Sequence, residues 1–209
     1  MTMTSISIIG TGKMGSAIAG IAARAGATIQ IIRRRAGAGS SLERSDAEYG
    51  VVGDRLTGDL VVLAVPYEAY PSILEHYRDQ LSGKVVIDIS NPIDFTTYDE
   101  LLVPADSSTA IELAKELPLD TTVVKAFNVN LGDTLSAGTN GTTTTTVLFA
   151  GDDPEAKIAL TTLIESAGLR AVDVGPLSRA RELEAMGFLQ IILAASAKTH
   201  YESGFTLLS

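Results

Sequence analysis

The 209-residue sequence contains no cysteine and no tryptophan, and aromatic residues make up only 5% of it. Without cysteine, a disulfide framework, a thiolate nucleophile and a zinc–cysteine site are excluded. Basic residues are few: the formal net charge is −9, which disfavours nucleic acid or an anionic membrane surface as a partner. The chain is nevertheless 45% hydrophobic and largely aliphatic, a composition typical of buried parallel strands packed against helices.

Long hydrophobic runs are also lacking. The longest apolar stretch late in the chain, from Phe188 to Ala197, is about half of a membrane span and contains Gln190. The apolar run at the amino terminus has no basic segment before it and stops at Gly10, so it is interpreted as a first strand and not as a secretory signal. We therefore expect a cytoplasmic protein with no membrane partner.

Strand-like and helix-like segments alternate along the chain, as expected for βαβ units with a parallel sheet. Apolar or β-branched runs predict strands over 5–9, 28–32, 59–65, 84–89, 122–127, 145–150 and 171–174. Helices are predicted over 14–25, 70–81, 107–117, 154–168 and 179–198. The predicted fold class is α/β, a Rossmann-type doubly wound and mainly parallel sheet with a short C-terminal helical extension. We assign the nucleotide-binding domain to residues 1–177 and the extension to 178–209.

A glycine motif, Gly10-Thr11-Gly12-Lys13-Met14-Gly15, lies directly between the first predicted strand and the first predicted helix. Alone, such a motif often marks only a flexible loop, but this strand–turn–helix context is that of a dinucleotide-binding fingerprint. Its glycines permit a tight turn, a close approach of the backbone to a pyrophosphate, and close packing of helix on strand. Free N–H groups at the helix N-terminus favour phosphate. Residues 10–15 are therefore predicted to bind a dinucleotide.

Three arginines, Arg33, Arg34 and Arg35, follow the second predicted strand, where an NAD-selective site would carry an acidic residue. The first acidic residue beyond them is Glu43. A guanidinium cannot accept a hydrogen bond from a ribose 2′-hydroxyl, but it pairs well with a 2′-phosphate. A solvated basic turn is the plain alternative. In a protein of net charge −9, the three arginines favour NADP as the cofactor.

The carboxyl ends of three other predicted strands are further candidates, because ligands of open α/β sheets bind at that edge. They carry Ala64-Val65-Pro66, Ser90-Asn91-Pro92 and Ala126-Phe127-Asn128. The two prolines fix the turns at a binding site or simply end their strands. We expect Phe127 and Asn128 to lie nearest the nicotinamide, as a flat apolar face and an amide-binding polar group.

Residues suited to acid–base or metal chemistry are scarce. The histidines, His76 and His200, lie away from the predicted strand ends and are interpreted as surface or packing residues. Asp152 and Asp153 are interpreted as helix caps, and no cluster of histidines and carboxylates has the spacing of a metal site. No catalytic residue is predicted. Hydride transfer between two stacked rings needs chiefly positioning and the exclusion of water, so an enzyme remains possible.

The remaining motifs carry a family resemblance. In chain order they are IIGTGKMGSAIA, the arginine turn, LAVP, SNP, SSTAIELAKELP, VVKAFN, AGDDPEAK and VGPLSRARELE. Over nearly its whole length the sequence resembles the NADP oxidoreductases that depend on the deazaflavin coenzyme F420, and the same motif set occurs in the cytosolic domain of membrane ferric reductases. Three arginines stand where the family often has Ser-Arg-Arg, and the loop after Asn128 diverges from the family pattern.

The resemblance implies hydride transfer between NADPH and a small-molecule acceptor, a deazaflavin or a flavin. It assigns residues 11–14 to the pyrophosphate, 33–35 to the 2′-phosphate, 64–66 and Asn91 to the ribose, and 126–128 to the nicotinamide. Gly204 and Phe205 would cover the second ring. The alternative function is a non-catalytic sensor of NADP(H). The C-terminal helix predicts a homodimer, although its apolar spacing equally fits a helix that covers the sheet.

Overall fold

The computed structural model describes residues 4–35 and 44–207, and strands and helices alternate throughout them. The strands are β1 (Ser5–Ile9), β2 (Thr28–Arg33), β3 (Ala47–Val51), β4 (Leu60–Leu63), β5 (Val85–Asp88), β6 (Thr122–Ala126), β7 (Thr139–Asn140), β8 (Thr143–Thr144), β9 (Thr146–Gly151) and β10 (Arg170–Asp173). The helices are α1 (Lys13–Arg24), α2 (Tyr70–Tyr77), α3 (Thr109–Glu116), α4 (Gly132–Ala137), α5 (Pro154–Ser166) and α6 (Ala180–Ala195).

An eight-stranded sheet forms the centre, in the order β10-β9-β6-β5-β4-β1-β2-β3. From β3 to β6 all neighbouring strands are parallel, and this part has the Rossmann strand order 3-2-1-4-5-6. Strand β9 is antiparallel to β6, and β10 is parallel to β9. The predicted fold class, a doubly wound and mainly parallel α/β sheet with a C-terminal helix, is confirmed.

Helices cover both faces of the sheet because its central strands are apolar on both sides. Strand β4 is buried along its whole length. On one face the core contains side chains of α1, α4 and α5, and on the other it contains side chains of α2 and α3. This layering leaves the carboxyl ends of β1, β2, β4, β5 and β6 along one edge of the sheet.

Side chains cap two of the predicted helix starts, and one of them, Asp153, was expected to do so. Ser108 Oγ accepts a hydrogen bond from Ile111 N at 3.2 Å, and Asp153 Oδ1 accepts one from Ala156 N at 2.7 Å. Asp152 is not a cap: its Oδ1 accepts a hydrogen bond from Leu177 N at 2.9 Å. Asp152 therefore joins the start of α5 to the segment before α6, which a local sequence pattern does not reveal.

Several elements differ from the prediction. Strand β3 was not predicted, because its residues are mostly half-buried and give no continuous apolar run. The loop predicted after Asn128 contains α4 and the hairpin of β7 and β8. Strand β4 is shorter than predicted, and the last turn of the helix predicted over 70–81 is a 3-10 helix, Arg78–Leu81. Glu43 lies outside the described residues.

The C-terminal helix α6 packs on the sheet through Leu183, which contacts Val129 and Ala150 in a small buried cluster. The division of the chain at residues 177 and 178 stays a prediction. Across residues 4–35 and 44–207, no helix combines the length and the apolar character needed to cross a membrane.

Candidate functional site

The glycine turn between β1 and α1 is built by close approaches that only glycine permits. Gly10 has φ of 118°, and a Cβ at this residue would collide with the carbonyl oxygen of Ala64. A Cβ at Gly15 would collide with the carbonyl oxygen of Gly10. Gly12 differs, because a Cβ there would meet no atom within 4 Å. Gly10 and Gly15 thus shape the turn, whereas Gly12 leaves open space in front of α1.

The N-terminus of α1 faces this open space without a side-chain cap. Gly12 is the N-cap residue, and the first turn contains no acidic side chain. The N–H groups of the first turn have no partner within the helix, and the helix dipole adds a partial positive charge. Lys13 adds a positive charge on a side chain that is 80% exposed, and its Nζ lies 3.4 Å from Asp133 Oδ2 in a surface ion pair. These features suit a phosphate.

The three arginines at the end of β2 have different surroundings. Arg33 is half-buried, and its Cζ lies 4.0 Å from the centre of the Tyr49 ring, a cation–π contact to β3. Arg34 and Arg35 are exposed. Arg34 lines a cleft of about 470 Å³, together with Gly10, Thr11 and His76. We call this the arginine cleft, and its remaining lining residues are Ile9, Ile32, Val52, Val65, Pro66, Ala69, Ser72 and Ile73.

Among the described residues that line the arginine cleft there is no carboxylate, and Arg34 and His76 are the charged or titratable ones. His76 is exposed, as expected of a surface residue. It also lines the arginine cleft together with the glycine turn. The sequence signal for this position was the helical spacing of His76 from Ser72 and Ile73, which puts the three residues on one face of α2. Helix α2 starts soon after the strand end at Pro66.

A second cleft, of about 320 Å³, lies on the other side of the β4 end, and Val65 and Pro66 line both. We call it the asparagine cleft. Asn91 and Phe95 form part of its wall, and Ile191 reaches it from α6. Its other lining residues are Gly12, Lys13, Met14, Ala64, Tyr67, Ile89 and Ser90. The two clefts together run along the edge of the sheet, past the N-terminus of α1.

The structure places Phe127 and Asn128 behind this wall. Phe127 has φ of 61° and no exposed surface, so its ring packs in the core and offers no flat face to either cleft. Asn128 Nδ2 donates to Asn91 Oδ1 at 2.9 Å and to the Leu183 carbonyl oxygen at 2.8 Å. Asn91 Nδ2 in turn donates to the Asn128 carbonyl oxygen at 2.8 Å. Asn128 therefore fixes Asn91, and the expected ring contact of Phe127 is corrected. The neighbouring Ala126 is also fully buried.

The C-terminal segment lies beside α6. Asn140 Nδ2 donates to the Gly204 carbonyl oxygen at 2.6 Å, and Phe205 lines a small cavity with Val129 and Met186. Gly204 and Phe205 are not among the residues that line the asparagine cleft. Their predicted contact with a second ring stays a prediction.

Comparison with known proteins agrees with these features. Residues 5–92 match the family model described as NADP oxidoreductase, coenzyme F420-dependent. The F420-dependent NADP reductase of Methanocaldococcus jannaschii is 32% identical over 146 residues, which are 68% of this chain and 65% of that protein. Residues 5–92 therefore belong to the coenzyme F420-dependent NADP oxidoreductase family. The predicted family is confirmed, and NADP is the cofactor that the family description names.

Other relatives extend the similarity over more of the chain. Metalloreductase STEAP3 of Rattus norvegicus is 31% identical over 181 residues, 87% of this chain but 36% of that protein. A solved structure of a hypothetical protein of Sinorhizobium meliloti is 30% identical, with a TM-score of 0.73 over 85% of this chain and 87% of that one. A structure described as a candidate F420-dependent NADP reductase from Arthrobacter has a TM-score of 0.83 at 24% identity, which supports the fold. This chain thus spans less than two thirds of the curated relatives.

A buried ionic network behind the clefts was not predicted from the sequence. Lys125 on β6 is fully buried, and its Nζ donates to Asp88 Oδ2 at 2.9 Å, to Glu184 Oε1 at 2.8 Å and to the Ser90 carbonyl oxygen at 2.6 Å. Tyr70 OH donates to Asp88 Oδ1 at 2.6 Å. We call Lys125, Asp88, Glu184 and Tyr70 the lysine network. It connects α2, β5, β6 and α6, and it holds Ser90 at the wall of the asparagine cleft.

The lysine network carries one positive and two negative charges. Both Glu184 carboxylate oxygens also accept from Thr109 N, at 3.0 and 3.1 Å, at the N-terminus of α3, where the helix dipole stabilises a negative charge. Burial nevertheless raises the pKa of Glu184 above its ordinary value, against the opposing attraction of Lys125. Burial and the neighbouring Asp88 raise the pKa of Tyr70 well above its ordinary value, so Tyr70 stays a hydrogen-bond donor. In the sequence the signal was a lysine inside the apolar run Val123 to Phe127.

The raised pKa of Glu184 predicts a pH dependence of stability. A carboxyl group whose folded-state pKa is raised stabilises the fold below its ordinary value of 4.5 and loses that contribution as the pH rises through the folded-state pKa. We expect Glu184→Gln to remove this loss, so that the unfolding free energy of the variant relative to wild type increases from pH 4.5 to pH 7. Urea unfolding at several pH values measures it. Glu182→Gln, on the exposed side of α6, is the control, and an identical pH profile of the two variants would contradict the assignment.

Proposed function

We propose that this protein binds NADPH across the arginine and asparagine clefts and transfers its hydride to a flavin or deazaflavin. The main support is that Gly10 and Thr11, in the turn before the uncapped N-terminus of α1, line the same cleft as the exposed Arg34, and that none of the described residues lining it is a carboxylate. A 2′-phosphate would meet a cation there without repulsion from a fixed negative charge. The open space at Gly12 leaves room for a pyrophosphate.

The residues present therefore fit the cofactor from end to end. Thr11, Gly12 and Met14 would hold the pyrophosphate, and Arg34 the 2′-phosphate. Val65 and Pro66 would pass under the ribose, since they line both clefts, and Asn91 would lie beside the nicotinamide. NADPH would supply the hydride, which explains why no acid–base set is needed. The protein would bind and orient NADPH and exclude water from the reacting ring.

The asparagine cleft favours a flat, anionic acceptor. Phe95 lies on its wall with 52% of its surface exposed, and its ring makes an edge contact with Tyr98 at 5.8 Å. An exposed aromatic face is suited to stack on a conjugated ring. Lys13 is the charged residue on the wall and would attract a phosphate tail. A phosphorylated flavin or deazaflavin has both features.

Stopped-flow mixing of NADPH-loaded protein with FMN, FAD and coenzyme F420 tests this function. We expect rapid oxidation of NADPH with at least one of them. With Phe95→Ala, the KM for that acceptor should rise by about two- to tenfold while NADPH affinity is unchanged, the size expected for one aromatic stacking contact. Leu119→Ala removes another exposed apolar side chain far from the clefts and is the control. Absence of oxidation with all three acceptors would favour the alternative, a sensor that binds NADP(H) without turnover.

Two glycine variants separate binding from folding. We expect Gly12→Ala to fold normally and to weaken NADPH at least about tenfold, because the added methyl group occupies the space proposed for the pyrophosphate. Gly10→Ala should instead lower the free energy of unfolding by about 2 kcal/mol, because it clashes with Ala64 at a positive φ. Fluorescence titration and urea unfolding measure the two effects. Unchanged NADPH affinity in Gly12→Ala would refute the pyrophosphate assignment.

We also propose that the protein forms a homodimer through α6 and the segment after it. Leu189 on α6 is 50% exposed, and Tyr201, Phe205 and Leu207 follow with 52%, 39% and 44%. Exposed apolar side chains that are clustered in one part of a chain often mark an interface with another protein. Sedimentation at two protein concentrations tests the proposal, and a monomer at both would refute it. The cytoplasmic location stays a prediction.

A further inference from the structure

A third cavity, of about 160 Å³, lies between α2 and α3, beside the asparagine cleft. Tyr67 lines both of them, so the two spaces are neighbours. The family assignment and the proposed NADPH site leave this cavity without a role. Its wall combines aromatic, acidic and hydroxyl side chains: Tyr67, Tyr70, Glu68, Glu112, Glu116 and Thr109.

The cavity is electrically negative. Glu68 and Glu116 are exposed, and neither forms an ion pair with any residue in the described part of the chain. Glu112 Oε1 accepts from Lys115 Nζ at 2.8 Å, but that lysine side chain is 61% exposed. Burial raises the pKa of Tyr67, and the negative charges of Glu112 and Glu116 raise it further. A cationic ligand would therefore be attracted here.

A buried hydroxyl on the wall lacks a partner. Thr109 has no exposed surface, and its Oγ1 makes no hydrogen bond with any described residue. Its backbone N–H is already engaged by Glu184. Buried polar groups in folded proteins are nearly always paired, so this hydroxyl is available to a ligand or a water molecule in the cavity. An N–H donor would satisfy Thr109 Oγ1.

The remaining wall indicates an organic cation and not a metal. Among residues 4–35 and 44–207 no three histidine or carboxylate side chains are arranged to hold a metal ion. Instead, the rings of Tyr67 and Tyr70 meet edge to face at 5.8 Å and an interplanar angle of 67°. Aromatic rings next to carboxylates are suited to an ammonium group with an apolar substituent.

We propose that this cavity binds a small protonated amine. Its ammonium group donates to Thr109 Oγ1 and is attracted by Glu68, Glu112 and Glu116, and its carbon skeleton packs against the two tyrosine rings. A primary or secondary amine satisfies Thr109, whereas a quaternary ammonium ion has no N–H to donate. An occupant of this cavity contacts Tyr67 and therefore lies next to the space proposed for the hydride acceptor.

Titration calorimetry with benzylammonium tests the proposal, with benzyl alcohol and benzoate as probes of the same size and different charge. No nicotinamide cofactor is needed, so the result is independent of the proposed function. We expect benzylammonium to bind at least about tenfold more tightly than either control, a difference of about 1.4 kcal/mol. Equal affinity for the amine and the alcohol, or no saturable binding of the amine, would overturn the proposal.

Two sets of variants locate the binding. The double variant Glu68→Gln and Glu116→Gln should weaken benzylammonium at least about fivefold. The matched double variant Glu155→Gln and Glu165→Gln removes two exposed charges from α5, on the opposite face of the sheet, and should leave the affinity unchanged. Equal losses in the two would show a general charge effect and refute the site.

Thr109 is tested by a second pair. Thr109→Val keeps the shape and removes the hydroxyl, so it should weaken benzylammonium, whereas Thr109→Ser should retain its affinity. If Thr109→Val fails to fold, the benzylammonium affinity of Thr109→Ser is measured with and without Glu116→Gln. This comparison tests binding in the cavity without the valine variant. An unchanged affinity for benzylammonium in a folded Thr109→Val variant would refute the role of the hydroxyl. A loss of affinity in Thr109→Ser that Thr109→Val does not show would also refute it.

Discussion

Replacing Arg34 with alanine is expected to weaken NADPH binding by about 10- to 100-fold and to change NADH binding by less than about threefold. Arg34 is the arginine that lines the arginine cleft, and a charge-assisted hydrogen bond to a phosphate is lost without it. NADH has a ribose hydroxyl at that position and gains little from a guanidinium. Fluorescence titration with both nucleotides at two salt concentrations measures the difference, which should shrink at high salt.

The neighbouring arginines are the controls for this prediction. Arg35→Ala removes the same charge from an exposed position that does not line the cleft, so the loss of NADPH affinity should be much smaller. Arg33→Ala should act chiefly on stability, because Arg33 packs over Tyr49 between β2 and β3. Equal losses of NADPH and NADH affinity in Arg34→Ala would contradict the assignment of the 2′-phosphate to Arg34.

Replacing Lys125 with methionine is expected to give the largest loss of stability. Methionine fits the apolar strand, but it leaves Asp88 and Glu184 buried without their cation. Removal of one partner from a buried ion pair costs about 3–5 kcal/mol, since the remaining charge is neither hydrated nor paired. Urea unfolding at pH 7 measures the loss. It should be smaller at pH 5, because burial raises the pKa of Glu184 and protonation of this carboxyl group then removes part of the uncompensated charge.

A matched variant distinguishes burial from charge. Lys115→Met removes a lysine that also pairs with a glutamate, but its side chain is 61% exposed, so stability should stay nearly unchanged. A similar loss in both variants would mean that the lysine network contributes no more than a surface pair. The folded fraction of Lys125→Met should also bind NADPH less tightly, because Lys125 holds the Ser90 carbonyl at the cleft wall.

Sequence patterns predicted those parts of the fold that depend on neighbours in the chain. The glycine turn is recognisable because the constraints on Gly10 and Gly15 lie within one strand–turn–helix unit, apart from the approach of Ala64. Strands β4, β5 and β6 are recognisable because burial on both faces requires continuous apolar runs. Strand β3 was missed because an edge strand that is half-buried carries no such run.

The predictions that failed concern residues whose surroundings depend on contacts between distant segments of the chain. The three arginines are equivalent in the sequence, and only the position of Tyr49 separates Arg33 from Arg34. Phe127 is the last residue of the strand predicted over 122–127, but in the structure it has a positive φ and its ring is buried in the core. Glu184 lies 59 residues from Lys125, so their pairing has no local signature. Asn128 was expected beside the nicotinamide, but its side chain donates to Asn91 and so orients that residue.

The reversal of β9 and β10 determines which way α6 runs. Both strands run away from the clefts, and β9 ends where Gly151 pairs with Val124 in the middle of β6. The chain must therefore return toward the clefts through α6, passing Lys125 at Glu184 and reaching the asparagine cleft at Ile191. The last turns of α6 thus form part of that wall without belonging to the sheet. On the proposed function, exchanging those turns alone would change the choice of acceptor and leave the nucleotide-binding residues unaltered.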